Sequence, residues 1–237
     1  MPAPSRLTRT LLLCAAAGTL IAGAGCQTLD DAGQVIGRAD LVNDLAARLD
    51  HSGELTYAAD YQLAGAATAT IARTPQPPRS AYIYPGGRVI VTDEGTTECR
   101  GAGTGSTCTV TPPPSPGARP PATVFADAAQ QGLVTPTVVI GLLTAAALDA
   151  DAIIKQHDTT IAGRHATCVQ VQQVKNAAAS SFDACITTDG VLGSFAGVVG
   201  GKHVDIAMSR YRESVDAAAF EPPGDARIVD RRAGAAR

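Results

Sequence analysis

ELTYAADYQL, residues 54–63, alternates without a slip. Leu55, Tyr57, Ala59, Tyr61 and Leu63 fall on one side, and Glu54, Thr56, Ala58, Asp60 and Gln62 on the other. A two-residue period sustained over this length predicts a β-strand with one apolar face. The same period returns downstream, with Ala67, Ala69 and Ile71 opposite Thr68 and Thr70. Residues 80–84 and 88–92 form another pair around Pro85-Gly86-Gly87, a turn signal. Residues 95–111 read as a hairpin whose arms carry Cys99 and Cys108, with Gly101, Gly103 and Gly105 at the tip.

Working outward, the chain leaves the two-residue period on both sides of this block. Upstream, Asp40 is placed to cap a helix reaching about Leu49, with Leu41, Leu45 and Leu49 at i, i+4 and i+8. Downstream, a proline-rich stretch from Pro112 to Pro121 predicts an extended connection. Residues 123–131 suggest a short helix, and Thr135-Pro136 supplies a cap and a first-turn proline for another reaching about Asp149. That second helix is apolar on nearly every side, so it must be buried. Strands resume at 153–161, 164–174, 180–188, 191–199 and 202–212, with Asp189-Gly190 suited to a two-residue hairpin turn. Asp216 to Phe220 suggests a closing turn, and the polar tail from Pro222, with Arg227, Arg231, Arg232 and Arg237, is expected to be disordered. Helix, strands, two central helices and five more strands predict an α+β domain. Its antiparallel sheet of about ten strands should pack helices on one face and curl.

The N-terminus speaks to location. Arg6 and Arg9 precede an apolar run from Leu11 to Gly25, followed by Cys26. This is the layout of a secretory signal peptide, and Gly23-Ala24-Gly25-Cys26 resembles the lipobox of bacterial lipoproteins, with Gly23 where Leu is usual. The resemblance implies cleavage after residue 25, lipidation of Cys26, and anchoring on the extracytoplasmic face of the cell membrane. Residues 26–38 are then a lipidated N-terminus and tether, 39–223 the domain and 224–237 the tail. Without residues 1–25, 17 of the 19 basic residues remain against 22 acidic ones, a net charge of −5. A mildly acidic chain with no basic cluster gives no support to nucleic-acid binding.

Of six cysteines, Cys99, Cys108, Cys168 and Cys185 lie beyond Cys14 and Cys26. An even number in an exported chain predicts two disulfides. Three pairings are open, and proximity in sequence favours Cys99–Cys108 and Cys168–Cys185. Strand alternation places Cys168 and Cys185 opposite their strands' apolar residues, so the two can meet on the less apolar face of the sheet.

IAGRHATCVQV (161–171), DACITTDGV (183–191) and FEPP (220–223) together resemble the LolA/LolB and LppX/LprG superfamily of bacterial envelope lipoproteins and lipoprotein carriers. In that superfamily a strand of the form G-x-x-x-x-C precedes one of the form C-x-x-x-x-G, and an F-x-P-P-like ending closes the domain. The resemblance spans about residues 39–223. It implies a curved half-barrel with helices plugging its concave side and an apolar cavity between them for lipid or acylated ligands. The residues expected to line such a cavity are Leu55, Tyr57, Tyr61, Ile71, Ile83, Val91, Val139, Leu142, Phe182, Ile186, Phe195, Ile206 and Met208. The alternative is an envelope interaction protein in which the same residues form a filled core and a protein partner docks outside.

Enzyme chemistry finds no motif. G-x-S-x-G, S-x-x-K and H-E-x-x-H are missing, as are G-x-G-x-x-G and the P-loop lysine. His51, His157, His165 and His203 are scattered singly, and His165 and Cys168 fall on opposite faces of one strand. No metal site, cofactor or catalytic residue is therefore expected, and Asp149-Ala150-Asp151 reads as a solvated helix end.

Overall fold

The computed structural model describes residues 25–101, 105–115 and 120–232, with side chains of the first helix described from Gly37 onward. The expected signal peptide up to residue 24, the tip residue Gly103 and the terminal Arg237 lie outside the described residues.

Twelve strands form one open, curved sheet. In chain order they are β1 (Tyr57–Leu63), β2 (Thr68–Pro75), β3 (Pro78–Tyr84), β4 (Gly87–Val91), β5 (Thr96–Arg100), β6 (Thr107–Thr111), β7 (Ile153–Ile161), β8 (Arg164–Gln172), β9 (Phe182–Thr187), β10 (Leu192–Val199), β11 (Lys202–Arg212) and β12 (Arg227–Asp230). Their spatial order is β12-β6-β5-β4-β3-β2-β1-β11-β10-β9-β8-β7. The topology is two meanders, β1 to β6 and β7 to β11, fused where β1 pairs antiparallel with β11. The strand whose alternation is clearest in the sequence thus sits at the seam. Register shifts at Asp60/Tyr61 and at Leu192/Ser194 bend the strands near this seam, as bulges do.

Three α-helices are described: α1 (Gly25–His51), α2 (Ala126–Gln130) and α3 (Pro136–Leu148). α1 starts well before Asp40, because no proline interrupts the chain from Gly25 onward; the backbone of the expected tether is helical. Its buried stripe is Val42, Leu45, Ala46 and Leu49, the i, i+3, i+4, i+7 set of an amphipathic helix. α3 buries Val139, Leu142, Leu143 and Ala146 and packs against α1. No helix among the described residues is long and apolar enough to cross a membrane.

The helices and one face of the sheet share a single cluster of buried side chains. Val42, Leu45 and Leu49 of α1, Leu143 of α3, Tyr61 and Ile71 of the first meander and Phe195 of the second are all fully buried in it. The β9–β10 turn closes directly onto α1. Gly190 takes φ +85°, and a Cβ there would lie 2.3 Å from the Arg48 carbonyl oxygen, so the position admits only glycine. The reverse face carries a smaller cluster, Ala58, Ala72, Ala81, Ile90 and Phe220, covered by the turn at Ala217–Phe220.

Several expectations are corrected. Residues 227–230 are a strand rather than disordered tail. β12 adds parallel to β6, extended by the Arg227 N–H donating to the Ser106 carbonyl and the Arg231 N–H to that of Val110. A four-residue strand, Arg-Ile-Val-Asp, has almost no periodicity to read, and what holds it is the open backbone edge of β6. The sheet therefore has twelve strands and one parallel pair. The Asp189-Gly190 connection is longer than two residues, running from Thr187 to Leu192. Ile83 lies on the reverse face: Ser80, Tyr82 and Tyr84 pair with Val91, Val89 and Gly87 on the helix side, and Ile83 pairs with Thr70 and Arg88. Two tyrosines flanking an isoleucine reverse the phase, because the aromatic rings carry more area into the core.

Candidate functional site

Ten of the thirteen residues expected to line a cavity are buried in the central cluster. Tyr57, Tyr61, Ile71, Val139, Leu142, Phe182, Ile186, Phe195, Ile206 and Met208 are each at most 4 % exposed. They touch one another rather than an open space. Phe182 and Phe195 stack at 5.8 Å between ring centroids, and Tyr82 meets the edge of Phe125 at 4.8 Å. The Tyr61 hydroxyl donates to the Leu192 carbonyl at 2.7 Å, tying the two meanders together through the core. Leu55 and Val91 are half-buried at the margin of the cluster. Ile83, on the reverse face, borders a shallow hollow of about 420 Å³ with Ala66, Thr68, Thr70 and Pro85.

The cysteines pair as Cys99–Cys108 and Cys168–Cys185. Each pair is directly opposed in register, on β5–β6 and on β8–β9. Cys168 and Cys185 form a small cluster with Ala166 away from the main core. His157 of β7 faces Cys168 across the next register position, and its ring nitrogen and the two sulfurs lie within 4.8 Å of one another. With the sulfurs bonded to each other, neither is a thiolate able to ligate a metal. Nearby Asp183 has its carboxyl raised by burial, partly offset by His157.

Other polar groups close locally. Asp149 accepts the N–H of Lys175 at 2.7 Å and of Asp151 at 3.0 Å, which holds its carboxyl below the ordinary range. Asp151 pairs with the Lys175 ammonium. The two acids thus staple the end of α3 to the segment after β8 instead of facing a common cation. Arg164 pairs with Asp189 and Glu213 and stacks over Tyr211 at 3.7 Å.

Against this background one charged residue stands out. Arg73 continues the alternation Ala69-Ile71 and lies on the helix-side face of β2, between Tyr57 of β1 and Ser80 of β3. Its Nη2 donates to the Tyr82 hydroxyl at 3.1 Å. Its Nε–H is buried and has no hydrogen-bond partner among the described residues. The neighbouring Tyr82 holds the guanidinium charged, well above its ordinary pKa, against the opposing effect of burial; Tyr57 and the Asp50 carboxylate add to this. Burial in turn pushes the Tyr57 hydroxyl up to about 12. A groove of about 500 Å³ opens beside Arg73. Its walls are Val91 and four prolines, Pro78, Pro113, Pro114 and Pro120. Thr74, Ser80, Thr92 and Ser115 supply hydroxyls, Asp93 an acidic side chain, and Arg79, whose guanidinium lies over the Phe220 ring at 4.6 Å, a second cation. Of the expected lining residues only Val91 borders this groove. Arg73 escapes a search for apolar residues, yet it was legible: extending the alternation of 67–71 by one step puts an arginine on the buried face.

No protein-family model matches the chain, and no curated protein does. Among solved structures, an uncharacterised conserved protein from Thermus thermophilus is similar at 12% identity and a TM-score of 0.47, over 79% of this chain and 98% of its own. MucB is similar at 12% identity and a TM-score of 0.49 over 78% of this chain. MucB in complex with MucA(peri) aligns at 13% identity and a TM-score of 0.45 over 79% of this chain. The chain spans 64% and 62% of the length of these two MucB chains.

Proposed function

We propose that this chain is a lipoprotein anchored through Cys26 to the extracytoplasmic face of the cell membrane, and that its domain, a half-barrel plugged by α1 and α3, binds an envelope protein partner at its surface without catalysis. The observation that carries the reading is the filled core. In a lipid carrier the face of the sheet and the helices above it stand apart around the acyl chains. Here Tyr61, Ile71, Phe195 and Leu143 occupy that place and are fully buried. Lodging an acyl chain among them would require α3 to lift, breaking its contacts with α1 before each buried CH₂ returned about 0.8 kcal/mol. The lipobox-like N-terminus supports the location, and two cross-strand disulfides suit an oxidising compartment. The groove at Arg73 is furnished for a partner, since it combines an apolar wall with hydroxyls and a half-buried cation.

The test is site-specific photo-crosslinking in cells, from Thr92 and Ser115 in the groove and from Asp205 on β11 as control. A discrete protein adduct from the groove positions alone is expected. Adducts to lipid, or no adduct from any position, would overturn the reading.

A further inference from the structure

We propose that the groove at Arg73 takes an extended peptide segment of the partner protein and that one carboxylate of this segment pairs with the Arg73 guanidinium. The proposal rests on the surface-binding reading above and names what that surface recognises. A charge on the apolar face of a central strand is costly to desolvate, and it persists where hydrogen bonds and opposite charge compensate it. Within the chain this compensation is partial. Tyr82 takes one N–H of the fork and Asp50 contributes counter-charge, while the Nε–H has no acceptor among the described residues. A carboxylate is the acceptor that meets a guanidinium with both opposite charge and a hydrogen bond.

The cover over the guanidinium is thin. A Cβ on Gly53 would come 3.2 Å from Nη1 of Arg73, so glycine at this place leaves the cation as part of the groove floor. The walls suit main chain. Pro113 and Pro114 present apolar rings, and Ser80 and Ser115 offer hydroxyls to the amides of an extended segment, while those of Thr74 and Thr92 already donate to the Pro77 and Gly95 carbonyls. The volume of about 500 Å³ lies within the ordinary range for ligand pockets. A phospholipid headgroup would fit Arg73 equally well by charge, but its acyl chains need adjoining apolar space, and what adjoins Arg73 is the packed cluster of Tyr57, Tyr82 and Phe125. Asp93 and Arg79 also line the groove and bring opposite charges, which leaves Arg73 as its net charge. The recognised segment therefore carries one acid at the Arg73 end rather than an acidic run.

The probes are fluorescent eight-residue Pro/Val/Thr peptides, each with a single Glu at a different position, and their Gln twins. Binding to the full chain in detergent is read by anisotropy. At least one Glu peptide is expected to bind about tenfold or more tighter than its twin, the scale of a charged hydrogen-bonded pair. Arg73→Gln should abolish the difference, and Ser115→Trp, which places an indole in the groove and leaves the Arg73 side chain unchanged, should block the Glu peptide. Ser115→Trp also serves if Arg73→Gln fails to fold by circular dichroism. Twins that bind equally, or a difference surviving either substitution, would overturn the proposal. So would Arg73-dependent capture of phosphatidylglycerol vesicles by the Cys26→Ala chain with no peptide preference, which would assign the site to a headgroup. Equal twins alongside a specific protein crosslink from Thr92 would sink the carboxylate pairing and leave the surface-binding reading standing.

Discussion

At the scale of single residues, the informative positions are those whose chemistry conflicts with their surroundings. Arg73 and the buried tyrosines are of this kind, and the tyrosines make a pH prediction. Burial pushes Tyr57 up to about 12 and Tyr61 well above its ordinary value. In the unfolded chain both ionise near 10. The unfolded state therefore loses protons first, so their contribution is fully present below about pH 10 and is lost as pH rises toward 12, at about 1.4 kcal/mol per pH unit for each fully buried hydroxyl. Urea midpoints should hold between pH 8 and 9 and fall between pH 10 and 11, and Tyr57→Phe should reduce the fall. A midpoint unchanged through pH 11 would contradict the burial of these hydroxyls. Cys26 makes a separate prediction, carried by the lipobox resemblance. A fatty-acid probe should label the chain in cells, and Cys26→Ala should remove the label and release the chain from the membrane fraction; persistent labelling would place the anchor elsewhere.

At the scale of elements, legibility follows periodicity. The five strands from 153 to 212 and the long apolar helix were readable because each has a sustained pattern and a punctuating turn or cap. β12 was not, since four residues, three of them exposed, bound to a backbone edge leave no pattern. Ile83 shows a finer failure: hydropathy alone chose the isoleucine over Tyr82, whose ring fills the core while its hydroxyl accepts from Arg73. The early start of α1 escaped because Gly33 and Gly37 weaken the helix signal before Asp40, although Leu29, Ala32 and Ile36 follow at helical spacing. Two predictions belong here. Leu143 of α3 is fully buried whereas Leu148, at the same helix's end, is 83 % exposed. Leu143→Ala should cost about 2–5 kcal/mol by the cavity it leaves, and Leu148→Ala should stay within about 0.5 kcal/mol, both read from urea unfolding. Equal effects would mean that α3 is not clamped between α1 and the sheet. The disulfides close loops with sequence separations of 9 and 17 residues in different halves of the sheet. Replacing either pair by alanines should cost about 3 kcal/mol in the chain-entropy picture, with the two costs adding because the sites share no contacts. A loss below about 1 kcal/mol for either would argue against its role as a staple.

At the scale of the molecule, the sequence announced an α+β domain with a large curling sheet, while two features of its assembly were beyond it. One is the seam, where β1 meets β11 across most of the domain's length in sequence; local periodicity carries no information on which distant strands pair. The other is the state of the interior. The same apolar alternation serves an open cavity and a packed core, and the difference lies in how far the helices settle onto the sheet. With α1 and α3 seated, Tyr61, Phe195 and Leu143 leave the interior to side chains, and binding moves to the groove beside Arg73. Native mass spectrometry of the full chain, extracted from membranes and then offered a mixture of phospholipids, tests this most directly. The account predicts the mass of the polypeptide with its own anchor and nothing more, before and after the lipid is added. A population carrying one further lipid per chain, resistant to detergent exchange and lost on introducing Phe195→Asp in the core, would contradict it.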